Sequence, residues 1–181
     1  MRRALLLALL LAAASACGDS GEEDCPGEPV AELGFSGTRI LAGNAALSGL
    51  DPVPAVPDCV PVRVDFPVAK KLPPFRATLA ADGFTQAAAL CRPGRAVLFG
   101  QRTGSRYVVE ARTGGATLPP ACSAALRLVV AGDVVPATDT EPTSFQGVLV
   151  EVLTWVDGNC EAYLPEPIRA CAARYTLRGA P

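Results

Sequence analysis

Apolar and polar residues alternate with a period of two along much of this chain. Val60, Val62, Val64 and Phe66 alternate with Pro61, Arg63 and Asp65, and Phe75, Ala77 and Leu79 with Arg76 and Thr78. Tyr107, Val109 and Ala111 alternate with Arg106, Val108, Glu110 and Arg112, and Ala173, Tyr175 and Leu177 with Arg174, Thr176 and Arg178. Leu126, Leu128 and Val130 flank Arg127 and Val129. Successive side chains of a strand point to opposite faces, so each pattern predicts a strand with one face on a core and one in water. The run Gln146 to Trp155 is more continuously apolar and rich in valine and leucine, as in a central strand. Ala96 to Gly100 and Thr38 to Ala42 complete a set of about eight.

Turn residues punctuate these strands. Gln101 to Ser105 reads as a hairpin loop joining two of them, Asp157-Gly158 as another turn, and Gly34-Phe35-Ser36-Gly37 as a third. Only Gly83 to Leu90, with its alanines, suggests a short helical turn. Many short strands with turns between them predict an all-β fold, and the half-wet strands make it antiparallel. The expected architecture is a single antiparallel β-sandwich, with a small closed β-barrel as the alternative.

The amino terminus follows a different rule. Arg2 and Arg3 precede an uncharged apolar run from Ala4 to Ala14, which is the length of an export-signal core and too short to span a bilayer. Small residues follow, Ala14-Ser15-Ala16, and then Cys17-Gly18. This segment, about the first twenty residues, resembles the lipobox of bacterial lipoproteins, with Ala14 where the family most often has leucine. The resemblance implies that residues 1–16 are removed and that Cys17 carries the lipid. With Gly18 next to it, it also implies a place in the cell envelope, at the outer membrane, with the periplasmic or outer face left open. More than one acyl chain gives stable attachment. No second apolar run reaches the length of a membrane-spanning helix.

Cleavage after residue 16 leaves 165 of the 181 residues. Residues 17–24 form a polar tether bearing Asp19, Glu22, Glu23 and Asp24, and residues 25–181 suit one domain with a real core. Beyond the tether, acids and bases balance, so bulk attraction to nucleic acid is not expected. With Cys17 set aside, six cysteines remain: Cys25, Cys59, Cys91, Cys122, Cys160 and Cys171. Export places them in an oxidising compartment, so three disulfides are expected. Loop-closure entropy favours near neighbours, giving Cys160–Cys171 first, then Cys25–Cys59 and Cys91–Cys122. Neither a C-x-x-C motif nor a histidine is present, which argues against a zinc site. No metal or other cofactor is expected.

Charge is unevenly distributed. Arg92, Arg95, Arg102, Arg106 and Arg112 face only Glu110 in their segment, whereas residues 128–168 carry acids and no cation. Two readings arise: an anion-binding patch for lipid headgroups or acidic glycans, or basic and acidic hairpins paired across neighbouring strands. The second has the greater weight, because alternation places only some of these arginines on one face.

The chain has no histidine, which removes the usual activation of serine or cysteine nucleophiles and the commonest general base near neutral pH. Ser36 lacks the spacing of a nucleophile elbow, and Lys70-Lys71 has no S-x-x-K motif to act with. Carboxylates such as Glu151 and Asp157 could serve a glycosidase, but any all-β chain of this size offers such pairs by chance. Trp155, Tyr163 and Tyr175 are candidates to line a ligand site, with core packing the stronger reading. Enzymatic activity is not expected. The expected function is that of a membrane-anchored structural or binding module, its partner an envelope protein or glycan. The alternatives are a barrel carrying a small apolar ligand and a hydrolase using carboxylates alone.

Overall fold

A computed structural model describes residues 25–59, 71–118, 122–160 and 169–181. The described residues form eight strands: β1 (Glu28–Ile40), β2 (Lys71–Ala81), β3 (Ala87–Cys91), β4 (Leu98–Thr103), β5 (Arg106–Leu118), β6 (Cys122–Val135), β7 (Ser144–Gly158) and β8 (Ala170–Ala180). Each strand pairs antiparallel with the next in sequence, and β8 returns to β1, so the sheet closes into a barrel. The seam runs from Gly34 opposite Ala180 to Ile40 opposite Arg174.

The all-β class, the strand number and the antiparallel pairing agree with the sequence pattern; of the two expected architectures the alternative, a small closed barrel, forms in place of the sandwich. Period-two alternation records only that one face of each strand is buried. It is silent on whether that face meets a second sheet or the far wall of the same one.

The boundaries shift for identifiable reasons. The strand expected at Thr38 to Ala42 is the tail of β1, which begins ten residues earlier and runs through Gly34-Phe35-Ser36-Gly37. That segment is therefore strand, not turn. The alanines read as a helical turn form β3 instead, pairing Ala88 with Ala81 and with Gly100. Pairing on both edges outweighs alanine's helical preference. The strand expected at Val60 to Phe66 lies outside the described residues.

Eight strands leave an interior just wide enough for side chains to fill. Here Leu33, Phe35, Leu79, Leu90, Tyr107, Val109, Val130, Phe145, Tyr175 and Leu177 are buried together along the axis. Phe35 stacks on Phe75 at 5.3 Å and meets Phe145 edge-on at 5.6 Å. Glycines on the inner register make room for these rings. A Cβ on Gly179 would come within 2.7 Å of the Phe35 ring, and one on Gly132 within 2.5 Å of the Phe145 ring.

The outside of β6, β7 and β8 is covered as well. The segment after β1, residues 41–59, forms a strap that lays Leu47, Leu50, Val53 and Val56 over Ala131, Val148, Val150, Val152 and Ala172. Arg174 rises from the outer face of β8 into this strap and is fully buried. Its Nε donates to Asp51 Oδ2 at 2.8 Å and its Nη1 to Asp58 Oδ1 at 2.9 Å. Its Nη2 donates to the carbonyls of Val53 and Val56 at 2.9 and 2.6 Å. The free oxygens of the two carboxylates accept strap amides, Asp51 from Val53 and Asp58 from Ala42, each at 2.9 Å. Farther along, Arg106 of β5 donates to the Gly49 carbonyl at 2.7 Å.

The strap ends beside the start of β8, where Asp58 bridges Ala172 in parallel, and there Cys59 is bonded to Cys171. The other disulfides are Cys122–Cys160 and Cys25–Cys91. All three expected pairings, Cys160–Cys171, Cys25–Cys59 and Cys91–Cys122, are thereby corrected. Loop entropy describes the unfolded chain, whereas strand register decides which sulfurs meet in the folded one. Cys122 lies opposite Gly158, two residues before Cys160, while Cys171 lies opposite Leu153, beside the strap.

Candidate functional site

The five arginines of the basic segment do not converge. Arg92 lies over the Phe75 ring at 4.0 Å, where burial and then repulsion from Arg95 lower its pKa. Arg102 sits over the Tyr107 ring at 5.8 Å and folds back, its Nε donating to the Gly104 carbonyl at 2.8 Å. Arg106 is committed to the strap and lies 3.9 Å from Asp133 of β6. Arg112 stands opposite Arg127, which is itself 3.2 Å from Glu110. Cross-strand pairing therefore accounts for Arg106 and Glu110, and an anion patch built from all five does not form.

The other candidates disperse too. Glu151 and Asp157 are six residues apart on one strand, so about 20 Å separates their backbones, beyond any glycosidase spacing. Glu151 turns inward and accepts the Tyr175 hydroxyl; burial raises its pKa. Tyr175 is buried and its pKa is raised, by burial first and then by the Glu151 charge. Trp155 is half-buried with Arg169 4.8 Å over its ring. Cys17 and Tyr163 lie outside the described residues.

A site does form on the outer wall, around β1. Opposite Ser36 the β1–β2 ladder breaks: Phe35 pairs with Phe75 and Gly37 with Leu72, leaving Pro73 and Pro74 as an insertion in β2. Proline has no N–H to give, so this pair cannot continue the ladder and bulges away from it. The opening is a groove of about 640 Å³ lined by Ser36, Gly37, Thr38, Lys71, Leu72, Pro73, Pro74, Thr176 and Arg178. A second depression of about 240 Å³ shares Ser36 and Arg178 and adds Gly34, Ser144 and Gln146. The two adjoin at Ser36 and Arg178, and their shared surface across β2, β1, β8 and β7 is called the trough.

Register explains why the floor is low and the walls are polar. Gly34, Ser36 and Thr38 occupy the outward positions of β1. Arg178 stands opposite Ser36 on β8, and Lys71 opposite Thr38 on β2. Gly37 faces the other way, where a Cβ would run into the Thr176 carbonyl, so only glycine lets the strands close here. The Thr176 hydroxyl is engaged, accepting the Thr38 amide and donating to the Thr38 carbonyl at 3.2 Å. The side chains of Ser36, Thr38, Lys71, Gln146 and Arg178 have no protein partner among the described residues.

The sequence carried only fragments of this site. Lys71 was visible as half of a lysine pair and Ser36 as part of a glycine-flanked turn. Arg178 was one more outward position of a strand. The Pro73-Pro74 pair was the available signal, since prolines inside an alternating run mark a bulge or an edge.

Compared with protein-family models, with curated proteins and with solved structures, the chain matches none.

Proposed function

We propose that this protein is a lipid-anchored binding module of the bacterial cell envelope, held by Cys17 and engaging its ligand on the outer wall of the barrel. One contrast supports the site. The interior is occupied by its own rings and aliphatic side chains, whereas the trough around β1 presents cations, hydroxyls and an amide without protein partners among the described residues. A filled axis argues against an apolar ligand carried inside. A hydrolase has no support from carboxylate geometry, with Glu151 and Asp157 far apart. The outer face of the barrel bears Glu32, Arg76, Glu110, Arg127 and Arg178, charges that are costly against lipid tails. The domain therefore fits water beside a membrane, with the acidic stretch 17–24 as spacer.

Detergent phase separation tests the anchor: the wild-type protein enters the detergent phase and Cys17→Ser stays in the aqueous phase. Continued detergent partitioning of Cys17→Ser overturns it. The binding role is tested by sedimenting soluble Cys17→Ser protein with purified envelope fragments. Saturable retention that weakens with salt is expected, and its absence overturns that role.

A further inference from the structure

We infer that the ligand of the trough is an acidic polysaccharide; this deepens, and rests on, the binding-module reading above. The charge pattern comes first. Among the outward arginines, Arg76, Arg106, Arg127 and Arg174 each meet a carboxylate, while Arg112, opposite Arg127, has no ion pair among the described residues. Lys71 and Arg178 meet none among the described residues, and no carboxylate is among the side chains lining either depression. Glu32, on the same outer face of β1, is occupied by Arg76 at 3.5 Å. The trough is therefore locally cationic on a domain whose acids and bases balance in number overall, which selects an anion.

Shape and spacing then select an extended anion. Lys71 and Arg178 stand on opposite sides of β1 and are staggered by two residues along it. Two strand spacings and that stagger put their backbones about 12 Å apart. The trough is open along its length, so a chain with recurrent charges reaches both cations while passing through.

The remaining lining selects sugar over peptide. Ser36 and Thr38 offer hydroxyls, and Gln146 an amide, each able to donate and to accept as a sugar hydroxyl requires. Pro73 and Pro74 offer a flat hydrocarbon surface with no N–H, suited to the C–H face of a pyranose ring. An extended peptide bound by strand addition would need a free sheet edge, and β1, the floor of the trough, is flanked on both sides by paired strands, β2 and β8.

The test uses the purified protein and an oligogalacturonide, with neutral dextran and polyglutamate of matched length as controls, read by calorimetry at low and moderate salt. The oligogalacturonide binds, dextran and polyglutamate bind at least tenfold more weakly, and Lys71→Gln and Arg178→Gln each weaken binding about tenfold. Thermal unfolding of both variants stays close to wild type, since neither side chain has a protein partner to lose among the described residues. Unchanged oligogalacturonide affinity in the double variant overturns the site. Equal binding of polyglutamate overturns the sugar. If the oligogalacturonide does not bind, the polysaccharide inference fails. The binding-module reading then stands or falls separately, on whether envelope retention of the Cys17→Ser protein is lost in the double variant.

Discussion

Arg174 and Asp51 are 123 positions apart in sequence, yet the Arg174 guanidinium, without solvent contact, lies 2.8 Å from the Asp51 carboxylate. The pair does more than neutralise charge. Asp51 shapes the strap through its second oxygen while Arg174 binds two strap carbonyls, so one buried cation fixes the course of the segment over β6–β8.

Removing that cation leaves two carboxylates and two carbonyls without their donor. Arg174→Met is expected to destabilise the fold by about 3–5 kcal/mol, the usual cost of stripping one partner from a buried ion pair. Arg174→Lys should rescue little, because one ammonium cannot reproduce a planar fork serving four acceptors. Urea unfolding measures the loss. Limited proteolysis should cut the variants first between residues 41 and 58; wild-type resistance there would show that the apolar contacts hold the strap unaided.

The disulfides should contribute unequally. In the loop-entropy account, Cys59–Cys171, with a separation of 112, is worth about 5 kcal/mol, and Cys122–Cys160, with 38, about 4 kcal/mol. Replacing the first pair by serine should also loosen the strap, while replacing the second should leave its protease resistance intact. Alkylation without reduction should label none of the six cysteines of residues 25–181; disulfide mapping by mass spectrometry checks the connectivity directly.

Glu151 predicts a pH dependence of a particular sign. Its carboxyl is raised by burial, so the folded state holds a proton that the unfolded chain has already released. Its contribution to stability is therefore full below the ordinary carboxylate range. It falls as pH rises from that range through the raised value, then levels off. Glu151→Gln keeps an acceptor for the Tyr175 hydroxyl and cannot ionise. The stability difference between Glu151→Gln and wild type should grow in favour of the variant across that window. Parallel melting-temperature curves from pH 4 to 8 would contradict it.

Gly179 and Phe35 should be energetically coupled. The nearest atoms to a methyl group at residue 179 all belong to side chains, the Phe35 ring and Leu33. Gly179→Ala is therefore expected to cost about 1–3 kcal/mol, and Phe35→Leu to relieve part of it in the double variant. Gly132→Ala differs, because its methyl also meets the Gln146 carbonyl at 2.5 Å. Shortening Phe145 should rescue it far less. Chemical denaturation of the two cycles measures the contrast.

Alternation alone determined that this chain is all-β and antiparallel, with about eight strands, because the strand repeat is local and writes itself into neighbouring residues. The even set of six cysteines in residues 25–181, all of them bridged in the structure, was legible for the same reason: composition needs no partner to be counted. The choice of a closed barrel over a sandwich was not legible, since it depends on β1 meeting β8 at the far end of the chain. Nor was the connectivity of the cysteines, where register overrode the entropy that favours near pairs. The strap escaped because Arg174 reads like any outward arginine until Asp51 and Asp58 are folded over it. The trough escaped because its cations, hydroxyls and prolines sit on separate strands and become one surface only when β2, β1, β8 and β7 lie side by side. What is local in the sequence was readable there; what depends on contacts between distant segments was decided by the tertiary structure.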